Sequence, residues 1–260
     1  MTPPRVRTPT RRNVLITGAS SGLGAGMARI LAAKGHHLVL TARRVDRLEA
    51  LRAELLAAHP GIEVVVHALD VNDHEQVFSV FRQAITDLVG IDRVIVNAGI
   101  SKGGRVGTGT FEANKETVET NFVAALAQCE AAMEHFYERR AGHLVVISSI
   151  SAMRGMPSSM NTYSATKAAI AHVAEGIRSD LIGRKGLDIK VTTLYPGYIA
   201  SEMNGAVEGA RLMVDTETGC RALVRNIEKE VVEAAVPAWP WIPIGQILKH
   251  APLGIVRRMV

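Results

Sequence analysis

Residues 13–24 read NVLITGASSGLG: an apolar run, Val14 to Ile16, passes through Thr17 into glycines at 18, 22 and 24. A run this short and apolar throughout, without the alternation of a half-exposed strand, predicts a strand buried on both faces. The stretch Thr17 to Gly24 then predicts a glycine-rich turn that hands this strand to a helix from about residue 22 to 34. At such a junction Gly18 permits the tight turn, Gly22 lets backbone approach a pyrophosphate, and Gly24 lets helix pack closely on strand. The helix start directs its amides at an anion. Gly18, Ser20, Ser21, Gly22, Leu23 and Gly24 are therefore candidate dinucleotide contacts. A glycine-rich turn without a ligand has the same composition; its place on a strand-to-helix junction favours the nucleotide.

Outward from this stretch the pattern repeats. Strands are expected at 37–42 (HLVLTA), 63–69 (EVVVHAL), 92–97 (DRVIVN), 143–149 (HLVVISS) and 189–195 (IKVTTLY), with helices at about 45–58, 73–89, 115–138 and 161–183. Strand and helix in alternation predict an α/β fold, a doubly wound parallel sheet flanked by helices. The 260 residues are 47% hydrophobic but only 4% aromatic, which suits one domain with an aliphatic core. The expected organisation is a disordered basic tail over 1–12, the α/β domain over 13–235, and an apolar extension rich in Trp and Pro over 236–260.

The net charge of +5 invites a nucleic-acid partner until it is located. Arg5, Arg7, Arg11 and Arg12 all lie in the first twelve residues, and without those four charges the chain carries +1. No basic face is implied, and no nucleic acid is expected. The tail has three prolines and no apolar stretch, so it does not read as a signal peptide. Cys129 and Cys220 lack CxxC spacing and the nine histidines form no HExxH cluster; neither disulfide nor metal is expected, and a reducing, cytoplasmic setting is. No apolar run approaches the roughly 20 residues of a membrane span.

Cofactor preference follows from the second strand, which ends TARR. An NAD site needs a carboxylate about 20 residues past the glycine turn for the ribose hydroxyls. Here Ala42, Arg43 and Arg44 occupy that region, with no acid before Asp46. Guanidinium groups suit a 2′-phosphate, so NADP(H) is favoured over NAD(H). Arg43 is the first candidate and Arg44 the second; either also fits as a solvated charge at a helix start.

The stretch NTYSATKAA places Tyr163 and Lys167 four residues apart, on one helical face. A free phenol has a pKa of about 10. A cation about 4 Å away at an effective dielectric near 20 favours its ionised form by roughly 4 kcal/mol, about three pK units. The spacing alone also fits a half-buried helix tyrosine beside a solvated lysine.

TGASSGLG near the start, NAG at 97–99, Asn121, ISS at 147–149 and YSATK at 163–167 together, in this order and spacing from about 13 to 203, resemble the short-chain dehydrogenase/reductase family. The resemblance implies a Rossmann-type domain with NAD(P)-dependent carbonyl or alcohol chemistry. It implies Tyr163 as the acid or base at the substrate oxygen, and Lys167 as the group that lowers its pKa and holds the nicotinamide ribose. Ser149 would hydrogen-bond the substrate oxygen, and Asn121, in mid-helix, would hold a water joining Lys167 to solvent. It further implies that Asp70 bonds the adenine amino group with Val71 beside it, and that Asn97, Ala98 and Gly99 line the cofactor. Pro196 and Gly197 would turn the chain past the nicotinamide, Ile199 would offer backbone to the carboxamide, and Ser201 a hydroxyl to the cofactor. Family members usually place the serine 13 residues before the tyrosine, whereas Ser149 precedes Tyr163 by 14; Ser148 and Ser151 are the alternatives.

Met153, Met156, Met160, Met203 and Met213 fall in loops expected around the nicotinamide, and thioethers make adaptable apolar pockets. A fairly apolar ketone, aldehyde or secondary alcohol is the expected substrate. A 3-oxoacyl thioester is the alternative, and a non-catalytic NADP-binding sensor or membrane-associated scaffold a further one. The loop 101–110 (SKGGRVGTGT) is too glycine-rich for a rigid wall. Residues 236–260 hold both tryptophans and four prolines, followed by Lys249, His250, Arg257 and Arg258. That composition suits peripheral contact with a membrane, or a tail packed over the cleft or a subunit neighbour. The long helices at 115–138 and 161–183 are those through which the family pairs subunits, which implies a homodimer or homotetramer.

Overall fold

Val14 to Thr17 are fully buried in β1 (Asn13–Thr17), the strand that the opening stretch predicts. The computed structural model describes residues 11–200, 202 and 212–259, the side chains of Arg258 and Met259 excepted. The expectations for Arg5, Arg7, Ser201 and Met203 lie outside the described residues. Around β1 are arranged β2 (His37–Ala42), β3 (Val64–Ala68), β4 (Arg93–Val96), β5 (Ala141–Ile147), β6 (Asp188–Pro196) and β7 (Glu233–Val236). Among the described residues they form one parallel sheet of order β3-β2-β1-β4-β5-β6-β7.

Successive strand residues enter opposite cores, which is why the strands are apolar without alternation. Val14, Ile16, Leu38, Leu40 and Ile95 face one layer, with Met27 and Leu31 of α1 (Gly22–Ala33), Leu48 and Leu55 of α2 (Val45–Ala58), and Leu223 and Ile227 of α7 (Thr216–Glu228). Leu15, Val39, Val94 and Val96 face the other. There they meet Val77 and Phe81 of α3 (His74–Asp87), Cys129 and Phe136 of α5 (Ala124–Arg139), and Ile170 and Ala174 of α6 (Met160–Leu181). Burial on two faces is the physical origin of the pattern read from the sequence. Strand order reverses across β1 and β4, and the crevice at their carboxyl ends is where such sheets take ligands.

Three expectations need correction. The helix expected at 115–138 is instead α4 (Phe111–Val118), a five-residue π segment (Glu119–Val123) and then α5. Arg11, placed by the sequence in the tail, is buried, with 8% exposure, and bonds Glu230 at 2.7 Å and Asp188 at 3.2 Å. Its guanidinium is drawn in by acids that lie 177 and 219 residues away in the chain. Val236, placed in the extension, belongs to β7 in register with Pro196. Beyond it, α8 (Ala238–His250) and α9 (Leu253–Met259) carry Trp241, Leu248 and Val256 into a third cluster with Ile150 and Met156. The proline-rich opening of α8 hides the helix: the backbone kinks at Trp239, and regular helix resumes at Pro240, where a missing N–H costs little.

Candidate active site

The carboxyl end of β1 is latched to that of β4. Thr17 Oγ1 accepts from the amides of Asn97 and Ala98, each at 3.1 Å, and Asn97 Nδ2 donates to the Thr17 carbonyl at 2.9 Å. Gly18 turns at φ +66°, and a Cβ there would lie 2.8 Å from Ala98 Cα; a Cβ on Gly24 would overlap the Gly18 carbonyl. These are the backbone reasons for glycine at both positions. The start of α1 has Ser21 at its N-cap position, with no side-chain cap bond and no acid in the first turn. Its amides are therefore left to an anion rather than to a side chain.

Arg44 closes this turn. Its guanidinium donates to Ser20 Oγ at 3.2 Å, to Ser21 Oγ at 2.6 Å and to Glu202 at 3.0 Å. Arg47 reaches the other Glu202 oxygen at 2.5 Å, and the two guanidinium groups hold that carboxyl down at about 2. An anionic group is thus already accommodated between two arginines at the edge of the glycine turn, which fits a phosphorylated cofactor. Arg43, the first candidate from the sequence, is exposed and makes no side-chain bond among the described residues. Asp70, on the far side, accepts at its carboxylate from the Asn72 amide at 3.1 Å, with Val71 buried beside it.

The other candidates converge at the ends of β4, β5 and α6. Lys167 is 6% exposed; its Nζ donates to the Ile147 carbonyl at 2.9 Å and lies 5.9 Å from the centroid of the Tyr163 ring. Burial brings its pKa down from 10.5 to about 8. Asn121 clamps Ile100 in both directions: its Oδ1 accepts from that amide and its Nδ2 donates to that carbonyl, each at 2.8 Å. A Cβ on Gly99 would lie 3.0 Å from Asn121 Oδ1 and 3.5 Å from Lys167 Nζ, so the three meet at one point. The π segment re-aims Asn121 inward, a distortion common at functional positions and invisible to helical periodicity.

Ser149 Oγ accepts from the amide of Ser151 at 3.2 Å and from its hydroxyl at 3.0 Å. Ser149 also lies close enough to the Tyr163 phenol to work against the rise that burial imposes on its pKa. Of the alternatives, Ser148 is turned away, donating at 2.7 Å to the Lys167 carbonyl, and Ser151 is buried behind Ser149. The expected lowering of the phenol pKa by Lys167 is not found. Burial raises it, Ser149 acts against that rise, and Lys167 has turned its charge to Ile147.

Pro196 ends β6 rather than opening a turn, Gly197 donates to the Val236 carbonyl at 2.9 Å, and Ile199 is bridged to Val214. Trp241 lies against Gly197, where a Cβ would overlap the indole, and meets Tyr198 edge-on at 5.3 Å. Met156 is buried in the same cluster, with Met153 and Met160 packed against it. A cavity of about 520 Å³ opens between the 106–110 loop, α4 and Thr162, with Val106, Phe111 and Val118 among its walls. The glycine-rich loop is tied down more than its composition suggests: Asn114 Oδ1 accepts from Gly104 at 3.2 Å and Lys102 pairs with Glu116. Sequence reasoning missed Glu202 and Asn114, which no local motif marks; it had Thr17 in the glycine motif and Trp241 in the extension, but not the contacts that each makes with residues distant in the chain.

No helix among the described residues is long and apolar enough to cross a membrane. Nor do those residues hold a cluster of three His, Cys, Asp or Glu that could bind a metal. Fold and relatives together define an NAD(P)-dependent oxidoreductase. The structure is similar to that of an alcohol dehydrogenase from the archaeon Thermococcus sibiricus complexed with 5-hydroxy-NADP (TM-score 0.76, 27% identity, 86% of this chain and 95% of that one). It is also similar to that of levodione reductase (TM-score 0.76, 26% identity, 86% and 94%). An uncharacterized oxidoreductase of Mycobacterium tuberculosis is 51% identical over 249 residues, 96% of this chain and 97% of its own. Residues 12–211 match the family described as short chain dehydrogenase, and the chain belongs to that family.

Proposed function

We propose that the protein is an NADP-dependent oxidoreductase that transfers hydride between the nicotinamide and a fairly apolar ketone, aldehyde or secondary alcohol, with Tyr163 as general acid and base. The observation that carries this reading is the pairing of Tyr163 with Lys167, whose buried Nζ lies 5.9 Å from the centre of the phenol ring, with Ser149 beside the phenol. The cofactor, when bound, supplies or accepts the hydride. Gly18, Ser20, Ser21, Gly22, Leu23 and Gly24 would hold its pyrophosphate and Arg44, with Arg43 nearby, its 2′-phosphate. Asp70, Val71, Asn97, Ala98, Gly99, Pro196, Gly197, Ile199 and Ser201 would line the remainder.

In the direction of reduction, Tyr163 Oη gives its proton to the carbonyl oxygen. Ser149 Oγ already accepts two bonds from Ser151, which leaves its own O–H to donate to that oxygen as charge develops. The proton lost leaves a phenolate with the Lys167 ammonium 5.9 Å from its ring. Asn121, by fixing Ile100, holds the backbone beside Lys167, through which a water would return the proton. Apolar walls at Val106, Phe111 and Val118 support an apolar substrate. Carbonyl and alcohol chemistry is also what the names of the similar structures state for those proteins.

Assembly as a homodimer or homotetramer is supported by Tyr137 and Ile182, exposed on α5 and at the end of α6. A cytoplasmic setting, with residues 236–260 in peripheral contact with a membrane, completes the reading. The test is NADPH oxidation across ketones, aldehydes and acyl thioesters, with Tyr163→Phe beside the wild type. Turnover is expected to vanish in the variant while NADPH affinity stays within a few-fold; substantial residual turnover refutes the assignment.

A further inference from the structure

The two uses that the sequence left open for residues 236–260, a cover for the cleft and a membrane contact, fall on opposite sides of one segment. On the inner side Trp241, Leu248 and Val256 pack against Ile150 and Met156, directly after Ser149, with Met153 and Tyr198 in contact. A Cβ on Gly245 would lie 3.1 Å from Ile150, so α8 rests on the loop that carries the candidate serine. Arg154, from that loop, donates to the Lys249 carbonyl at 3.2 Å and ties the end of α8 down. The inner side is therefore satisfied by this chain.

The outer side is not. Trp239 is 79% exposed and Leu253 64%, and Ile242, Ile247 and Ile255 are each about half exposed. Lys249, His250 and Arg257 are exposed among them, and from Ala234 to Val260 the sequence contains no Asp or Glu. Outward tryptophan and aliphatics with cations and no acids are the chemistry of a surface that inserts at the headgroup level of an anionic bilayer. A second copy of the chain is a poorer occupant. A twofold contact sets a patch against itself, so Lys249 and Arg257 would meet their own kind with no acid to offset them.

We propose that the outer side of α8 and α9 docks the protein on an anionic membrane surface, while their inner side rests on the loop that follows Ser149. This deepens the reading of an apolar substrate, yet its docking step is measured without turnover. The experiment is flotation of the full-length protein with vesicles of phosphatidylcholine alone and of phosphatidylcholine with phosphatidylserine, alongside sedimentation without lipid. The protein should float with the anionic vesicles at least tenfold more strongly than with the neutral ones. Trp239→Ser/Ile242→Ser should weaken flotation tenfold or more while leaving the thermal midpoint and NADPH affinity unchanged, since both side chains are exposed. Lys249→Gln/Arg257→Gln should weaken it about five-fold per charge. Flotation with neither vesicle, or flotation indifferent to these substitutions, overturns the proposal. So does an oligomer that Trp239→Ser/Ile242→Ser dissociates, which would make a second copy the occupant. Loss of turnover in Tyr163→Phe with flotation retained separates this proposal from the catalytic one.

Discussion

Replacing Lys167 with methionine keeps most of the side chain's apolar stem and removes its charge, which turns a property of the site into a measurable stability. Burial lowers the lysine pKa from 10.5 to about 8. At 1.36 kcal/mol per unit, holding the ammonium inside the folded protein costs about 3 kcal/mol at pH 7, where it is charged in both states. The folded pKa lies below the unfolded one, so this stability is fully present above pH 10.5 and is lost as pH falls through about 8. Methionine leaves the Ile147 carbonyl without its donor, a loss of about 1–3 kcal/mol that does not depend on pH. At pH 7 the variant should therefore lie between equal stability and about 2 kcal/mol greater stability. Between about pH 7 and 10 the wild type should gain about 2.5 kcal/mol on it. Urea unfolding of both proteins at the two pH values measures this double difference, in which every other titrating group cancels. Parallel pH profiles would refute the reasoning, because a lysine that unfolds with no change in pKa has no buried charge to relieve. Turnover should fall at least about a hundredfold in the same variant, so that stability is gained where chemistry is lost.

Arg44→Ala should weaken NADPH by about tenfold to a hundredfold, the worth of one or two charge-assisted bonds, and NADH by far less. Fluorescence titration of both cofactors checks it, Arg43→Ala should show the smaller discrimination, and equal losses for both cofactors would exclude the 2′-phosphate role. His36 and His143 are buried near the amino ends of β2 and β5, away from the candidate site, and burial holds both below their ordinary 6.5. Their folded values are depressed, so the stability they contribute is present above about pH 6.5 and lost as pH falls below it. The urea midpoint should drop steadily from pH 7 to 5, and a flat profile over that range would contradict the burial of these neutral rings.

Much of the fold follows from local chemistry. β1, β2 and α2 fall within the residues where periodicity predicts them, because apolar runs bounded by glycine, proline or charge have few other conformations. β7 and the helices after residue 215 were not foreseen. Glu233 to Val236 is a four-residue strand whose pairing comes from β6, and α8 opens through prolines that locally read as loop. The break in the helix around Asn121 escaped notice for a similar reason. Asn121, inside the π segment, bonds Ile100 21 residues away, and no pattern of period 3.6 registers such bonds.

By itself the sequence determined the class of chemistry: the glycine turn after β1, the TARR end of β2 and the spacing of Tyr163 and Lys167 are contiguous, and spacing along one helix or turn is fixed by backbone geometry. The tertiary structure alone decided which groups share an environment. It put Arg44 rather than Arg43 on the two serines, turned Ser148 away from the phenol, and buried Arg11 against acids far along the chain. It also directed the Lys167 charge to Ile147, so that burial and not the lysine governs the phenol. Burial and charge pairing depend on distances through space, and those exist only once the sheet has brought its carboxyl ends together.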